Sequence, residues 1–222
     1  YNDDEIERKI SINSSVLNAD WNNSKLFIID TPGYTDFIGE VIGSIRAVDA
    51  GVLAVCGVNG FEIGTDRSWK LLEEANLPFL VFINKLDKEN SNFYNVLSQL
   101  QEKIGKHCLP LCIPSGKESN FKAVVDILGT DESSVSSDEE KAKVEEFKEK
   151  LIEQIAESDD QLLEKYLDSG RLSDDEIKNG FRKAVLEKKL IPVLCGSAVN
   201  NIGIKELSDA IVAALPSPSD VI

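Results

Sequence analysis

Apolar residues along this chain fall into short continuous runs, separated by segments in which they recur every three or four positions. Residues 8–16 and 25–30 predict two strands joined by a polar turn at 19–24, the spacing of a hairpin. A helix is predicted over 37–49, followed by the run GVLAVCGV at 51–58 as a buried strand. The alternation continues with a helix near 65–75, a strand at 77–85, a helix near 91–105 and a short strand at 109–114. Continuous apolar strands alternating with amphipathic helices predict an α/β fold, a parallel sheet covered on both faces.

The rhythm then changes. GTDESSVSS, residues 129–137, reads as a loop of low hydrophobicity. Two or three helices follow, near 138–158, 159–168 and 173–188, with Ser173 and Glu176 spaced as a capping box. The run LIPVLCGS at 190–197 and a helix over 203–214 restore the alternation, which stops at Pro216-Ser217-Pro218. The expected organisation is an α/β domain made of 1–113 and 189–215, a mainly helical inserted subdomain at 114–188, and a linker at 216–222 leading to further domains. No internal repeat is evident.

Composition narrows the function classes. With 222 residues, 42% hydrophobic and 28% charged, the chain can bury a sizeable core. No apolar run approaches the roughly 18 residues of a membrane span, and YNDDEIERKI lacks the features of a secretory signal, so a cytoplasmic protein with no membrane partner is expected. A net charge of -15 argues against a broad face for nucleic-acid backbone and against DNA as a partner. Much of the acid lies between 131 and 176, either as solvated helix faces or as a docking surface for a basic partner. Cys56, Cys108, Cys112 and Cys195 read as buried free thiols, with a metal or redox pair as the alternative, and the single histidine, His107, as a surface or interface residue.

In open α/β sheets, ligands bind at the carboxyl ends of strands. Three predicted strands end in polar clusters. After the first, Asp30-Thr31-Pro32-Gly33 offers a carboxylate suited to a magnesium ion and a glycine whose backbone N–H can face a terminal phosphate. After the second, Asn84-Lys85-Leu86-Asp87 offers a carboxylate that can accept from both N1–H and the exocyclic amine of guanine, with Asn84 and the Lys85 stem holding the loop and flanking the base. After the third, Gly196-Ser197-Ala198 offers a tight turn whose N–H can meet the guanine carbonyl.

The order D-T-P-G, N-K-x-D, G-S-A resembles the GTP-binding domain of translational GTPases. FINKLD, NFYNVLSQLQEKIG, VVDIL, LLEKYL and IPVLCGSAVNNIG are similar to elongation factor G, and EVIGSIR at 40–46 departs modestly from its usual text. The resemblance covers nearly the whole chain. It implies a P-loop GTPase-type sheet, a monomer binding GTP or GDP with Mg2+, hydrolysis of GTP, and the ribosome as partner through its rRNA and stalk proteins. The helical insertion resembles the subdomain that elongation factor G carries inside its GTPase domain.

Three departures matter. No G-x-x-x-x-G-K-[ST] occurs, and the family's first strand, phosphate-binding loop and first helix have no counterpart. The expectation is therefore a truncated sequence, incomplete at the N-terminus, that leaves two sheet edges unpaired and binds nucleotide poorly. Where the family reads R-G-I-T, this chain has Arg8-Lys9-Ile10-Ser11, and Ser11 keeps the hydroxyl implied as a magnesium ligand beside Asp30. Where the family has histidine after D-T-P-G, this chain has Tyr34. A phenol is a poor base at neutral pH but can still bond a water, so slower or differently triggered hydrolysis is implied. R-K-I-S with D-T-P-G-Y is similar to divergent paralogues of elongation factor G. The alternatives are a GTP-dependent binding module that barely hydrolyses, and a ribosomal protection factor of the tetracycline-resistance kind.

Overall fold

A computed structural model describes residues 3–129 and 137–220. Most of the loop expected at 129–137 and the end of the expected linker lie outside these residues. The element order is α1 (Asp3–Arg8), β1 (Ser15–Trp21), β2 (Ser24–Asp30), α2 (Ile38–Ile45), β3 (Gly51–Cys56), α3 (Ile63–Glu74), β4 (Phe79–Asn84) and α4 (Phe93–Lys103). It continues with β5 (Cys108–Pro110), β6 (Cys112–Ser115), β7 (Ala123–Asp126), α5 (Asp138–Ala156), α6 (Asp160–Ser169), α7 (Asp174–Leu186), β8 (Ile191–Cys195) and α8 (Ile204–Ala214).

The central sheet is parallel, in the order β3-β4-β8-β5. Phe79 to Ile83 and the whole of β8 are buried, because a parallel strand covered on both faces has no solvent side to keep polar. The hairpin of β1 and β2 forms a separate antiparallel pair. It is tied to α8 by Asp209, which accepts from the Trp21 indole N–H and the Asn22 amide, each at 2.7 Å.

Two strand expectations need correction. The strand expected over 8–16 begins only at Ser15, after the short helix α1. Asp3, Asp4 and Glu5 at the start of α1 and Arg8 at its end complement its dipole. The Glu5 carboxylate then accepts from the backbone N–H of Ile12 at 2.8 Å and Asn13 at 3.0 Å, which holds those residues out of any ladder. The strand expected over 109–114 is two strands: β5 stays in the central sheet, while β6 turns away to pair antiparallel with β7. Pro110 and Pro114 supply no N–H, so neither can donate to a ladder. The sequence pattern does not predict the β6–β7 hairpin.

The helices α5, α6 and α7 follow the sequence pattern. Val144, Phe147, Leu151 and Ile155 line one face of α5 and are buried with Phe181, Ala184 and Val185 of α7. A Cβ on Gly180 would come within 2.7 Å of Ile155 Cγ2 and 2.9 Å of Leu162 Cδ1, so a larger residue there would have to displace these side chains where α5, α6 and α7 meet.

The capping box at the start of α7 is complete: the Glu176 carboxylate accepts from Ser173 N–H at 2.9 Å, and Glu176 N–H donates to Ser173 Oγ at 3.4 Å. Lys165 Nζ adds contacts of 2.7 and 2.8 Å. Lys165 first, then Ser173, pull the Glu176 carboxyl down from 4.5 to about 2. A depressed carboxyl contributes stability that is present above its unfolded value and lost as pH falls through its folded one. Glu176→Gln is therefore expected to flatten the acid limb of helix unfolding between pH 4.5 and about 2, read by far-UV circular dichroism.

His107, read as a surface or interface residue, is half-buried, and burial holds its pKa below 6.5. All four cysteines are free, with Cys108, Cys112 and Cys195 buried. Among the described residues no helix is long and apolar enough to cross a membrane.

Neither the free edge of β2 nor that of β3 has a strand partner among the described residues. Both line one cavity of about 1480 Å3, with Phe27, Ile28 and Val52 exposed.

Candidate functional site

β4 and β8 are neighbours in the sheet, so the loops leaving their carboxyl ends must meet. Asn84 joins them: its Oδ1 accepts from the backbone N–H of Lys85 at 2.7 Å and of Ala198 at 3.0 Å. Leu86 N–H donates to Gly196 O at 3.2 Å, and Gly196 N–H to Ile83 O at 2.9 Å. Asn84-Lys85-Leu86-Asp87 and Gly196-Ser197-Ala198 are thus one hydrogen-bonded unit. Lys85 takes a left-handed φ of 67°, a conformation that costs a non-glycine residue about 1 kcal/mol or more and that the Asn84 bond helps hold.

Asp87 sits at the rim of this unit. The Ser197 hydroxyl is the main cause holding its carboxyl below the usual range, against the opposing effect of burial, with Lys88 Nζ 3.4 Å away as a lesser contribution. Ser197 itself is fully buried and exchanges backbone hydrogen bonds of 3.0 Å with Ile202. Asp87 is therefore a pre-ionised, pre-oriented acceptor at neutral pH.

Two glycines outside the predicted clusters build the unit. Gly57 N–H donates to Asn84 O at 2.7 Å, and Gly57 O accepts from Asn92 N–H at 2.9 Å, which brings the end of β3 against the loop. Gly203 has a φ of 79°, and a Cβ there would meet Cys195 O at 2.1 Å. In the sequence Gly57 lies inside the apolar run at 51–58 and Gly203 at the start of the last predicted helix, and neither position by itself points to the loops they join.

The other half of the site follows β2. Asp30 ends the strand, Pro32 is buried, and Gly33 and Tyr34 are exposed ahead of a single 3-10 turn over Thr35–Phe37 that leads into α2. A Cβ on Gly33 would meet nothing within 4 Å, so packing inside the described chain does not demand glycine there. Tyr34 is 59% exposed, and its side chain makes no capping bond to the turn it precedes.

Of the predicted residues, Ser11, Asp30, Gly33, Tyr34, Asn84 and Lys85 all line the cavity between β2 and β3. Asp87, Ser197 and Ala198 do not line it; they are linked to it through Asn84 and Lys85. Ser11 and Asp30 bring a hydroxyl and a carboxylate to this cavity, a hard-oxygen set suited to a magnesium ion that keeps most of its ligands as water and phosphate. No group of three or more His, Cys, Asp or Glu that could cage a metal occurs among the described residues.

Comparison with known proteins gives two findings. A family model described as the elongation factor Tu GTP binding domain matches residues 1–217. A crystal structure of a protein from Thermus thermophilus superposes over 100% of this chain with a TM-score of 0.92 and 29% sequence identity. This chain spans 34% of that protein, about a third of its length.

Proposed function

Because the chain belongs to the elongation factor Tu GTP-binding domain family of translational GTPases, we propose that it is the guanine-nucleotide switch of an elongation factor G-like, ribosome-associated cytoplasmic protein of the divergent paralogue type. The observation that carries this reading is the single unit formed by Asn84, Asp87, Ser197 and Ala198 at adjoining strand ends. Asp87 accepts from N1–H and the exocyclic amine of guanine, and the Ala198 N–H, which donates to Asn84 Oδ1 at 3.0 Å here, reaches the guanine carbonyl by sharing or exchanging that bond. Asn84 holds the two loops in register, and the aliphatic stem of Lys85 flanks the base.

At the opposite end of the site, Gly33 presents its backbone N–H to the terminal phosphate. Ser11 and Asp30 hold the magnesium ion, which neutralises charge on the phosphates when bound. In hydrolysis a water attacks the terminal phosphorus and the bond to the bridging oxygen breaks, giving GDP and phosphate. Tyr34 bonds that water. The 222 residues contain no phosphate-binding loop motif, so most of the phosphate affinity is not supplied by these residues.

A second reading, a binding module that barely hydrolyses, is favoured by one feature, Tyr34 in place of histidine. The first test is equilibrium displacement of a fluorescent GDP from the full-length protein. GTP and GDP are expected to compete at least about 100-fold better than ATP, in keeping with recognition by paired hydrogen bonds. Equal competition by ATP would overturn the guanine assignment.

A further inference from the structure

The segment bearing Ser11 is fastened to the rest of the site at both ends. Upstream, the Glu5 carboxylate accepts from Ile12 and Asn13, which holds residues 9–13 against α1. Downstream, the backbone N–H of Ser14 donates to Glu40 Oε2 at 2.8 Å, and Ser14 Oγ lies 3.2 Å from Ser44 Oγ. Glu40 and Ser44 are one turn apart on α2, so the two contacts come from one helix face. α2 is also the helix that follows Asp30-Thr31-Pro32-Gly33-Tyr34. Ser14's backbone N–H, then its hydroxyl, hold the Glu40 carboxyl below its ordinary value, so the acceptor is charged at neutral pH.

Resting on the proposed role of Ser11 toward magnesium, we propose that Glu40 is a positioning residue that clips the Ser11 segment onto α2, so that the hydroxyl of Ser11 and the carboxylate of Asp30 stay on one cavity before nucleotide arrives. Glu40 touches neither metal nor nucleotide. It acts through Ser14, three residues from Ser11, and through a helix fixed to the loop after Asp30. The clip lowers the ordering cost of the segment, a cost the magnesium–phosphate interaction otherwise has to meet on binding.

The test uses the full-length protein and three forms: wild type, Glu40→Ala and Glu40→Gln. Trypsin cleavage after Lys9, an exposed position, is followed by mass spectrometry without nucleotide. The magnesium concentration giving half-maximal binding of a non-hydrolysable GTP analogue is measured in parallel. Glu40→Ala is expected to speed that cleavage about tenfold and to raise the magnesium requirement about tenfold, the equivalent of one hydrogen bond to a charged acceptor. Glu40→Gln, which keeps an acceptor oxygen, is expected to restore both to within about threefold.

Unchanged cleavage in Glu40→Ala would overturn the clip. Faster cleavage with an unchanged magnesium requirement would reduce Glu40 to a structural contact and overturn its positioning role. Absence of any magnesium dependence in the wild type would instead overturn the reading of Ser11 and Asp30, and the positioning role with it, while the cleavage result would still report on the contact itself.

Discussion

Asp87→Asn is expected to move the nucleotide preference of the full-length protein from guanine to xanthine. The aspartate offers two acceptor oxygens to two donors on guanine, N1–H and the exocyclic amine. Asparagine keeps one acceptor and replaces the other with a donor, which then faces the guanine amine donor to donor. Xanthine carries a carbonyl where guanine carries that amine, so the substituted site is complementary again. Each hydrogen bond to a charged acceptor is worth about 1.5–3 kcal/mol, so loss of one such bond, the donor-to-donor contact that replaces it and the lost charge on the other are together expected to weaken GDP binding by about 100-fold or more. Xanthosine diphosphate should gain by a comparable factor. The substitution should leave the fold intact, because asparagine can still accept from the Ser197 hydroxyl that now steadies Asp87. Competition between GDP and xanthosine diphosphate for a fluorescent nucleotide reads the change. Unchanged selectivity would remove Asp87 from the base-reading role.

The parts of this structure that were legible in the sequence are those specified locally. β4 and β8 announce themselves as unbroken apolar runs because both are buried on both faces. The α7 capping box is legible because its two partners lie three residues apart. That N-K-L-D and G-S-A stand at strand ends was legible because β4 and β8 are continuous apolar runs of the parallel sheet, whereas D-T-P-G follows β2, which among the described residues pairs only with β1 in a separate antiparallel hairpin.

What was not legible depends on contacts between residues distant in sequence. The late start of β1 is set by Glu5 reaching forward to Ile12 and Asn13, and no periodicity encodes that. The division between β5 and β6 depends on which partner each half finds, β8 in one case and β7 in the other. Asn84 could be placed in a recognition loop, but not as the link to Ala198, 114 residues away. The Glu40 contact to Ser14 joins two segments that the sequence shows only as part of a strand predicted over 8–16 and the first turn of a helix predicted over 37–49.

Tyr34→His is expected to raise the single-turnover rate of GTP hydrolysis on the ribosome by about 100-fold, the scale of effect that a well-placed proton-accepting or water-orienting group has on such a step. Tyr34 is not a packing residue: it is 59% exposed and lines the same cavity as Asp30 and Gly33. Its backbone conformation, φ -79° and ψ 136°, is ordinary extended chain that histidine adopts without strain, so the substitution should change chemistry and leave the turn as it is. Nucleotide affinity should stay within about twofold, since an interaction made only in the transition state alters turnover and leaves ground-state binding alone. The phenol hydroxyl can bond a water but accepts its proton poorly at neutral pH, and phosphoryl transfer relies chiefly on positioning and electrostatics. Tyrosine should therefore slow hydrolysis and prolong the GTP-bound state without abolishing turnover. A wild-type rate already strongly stimulated by ribosomes, with no gain from histidine, would mean that another group positions the water and that the binding-module reading fails. A negligible wild-type rate restored by histidine would mean that Tyr34 keeps the switch in its GTP-bound state, and that persistence of this state, more than turnover, is what the site was built to provide.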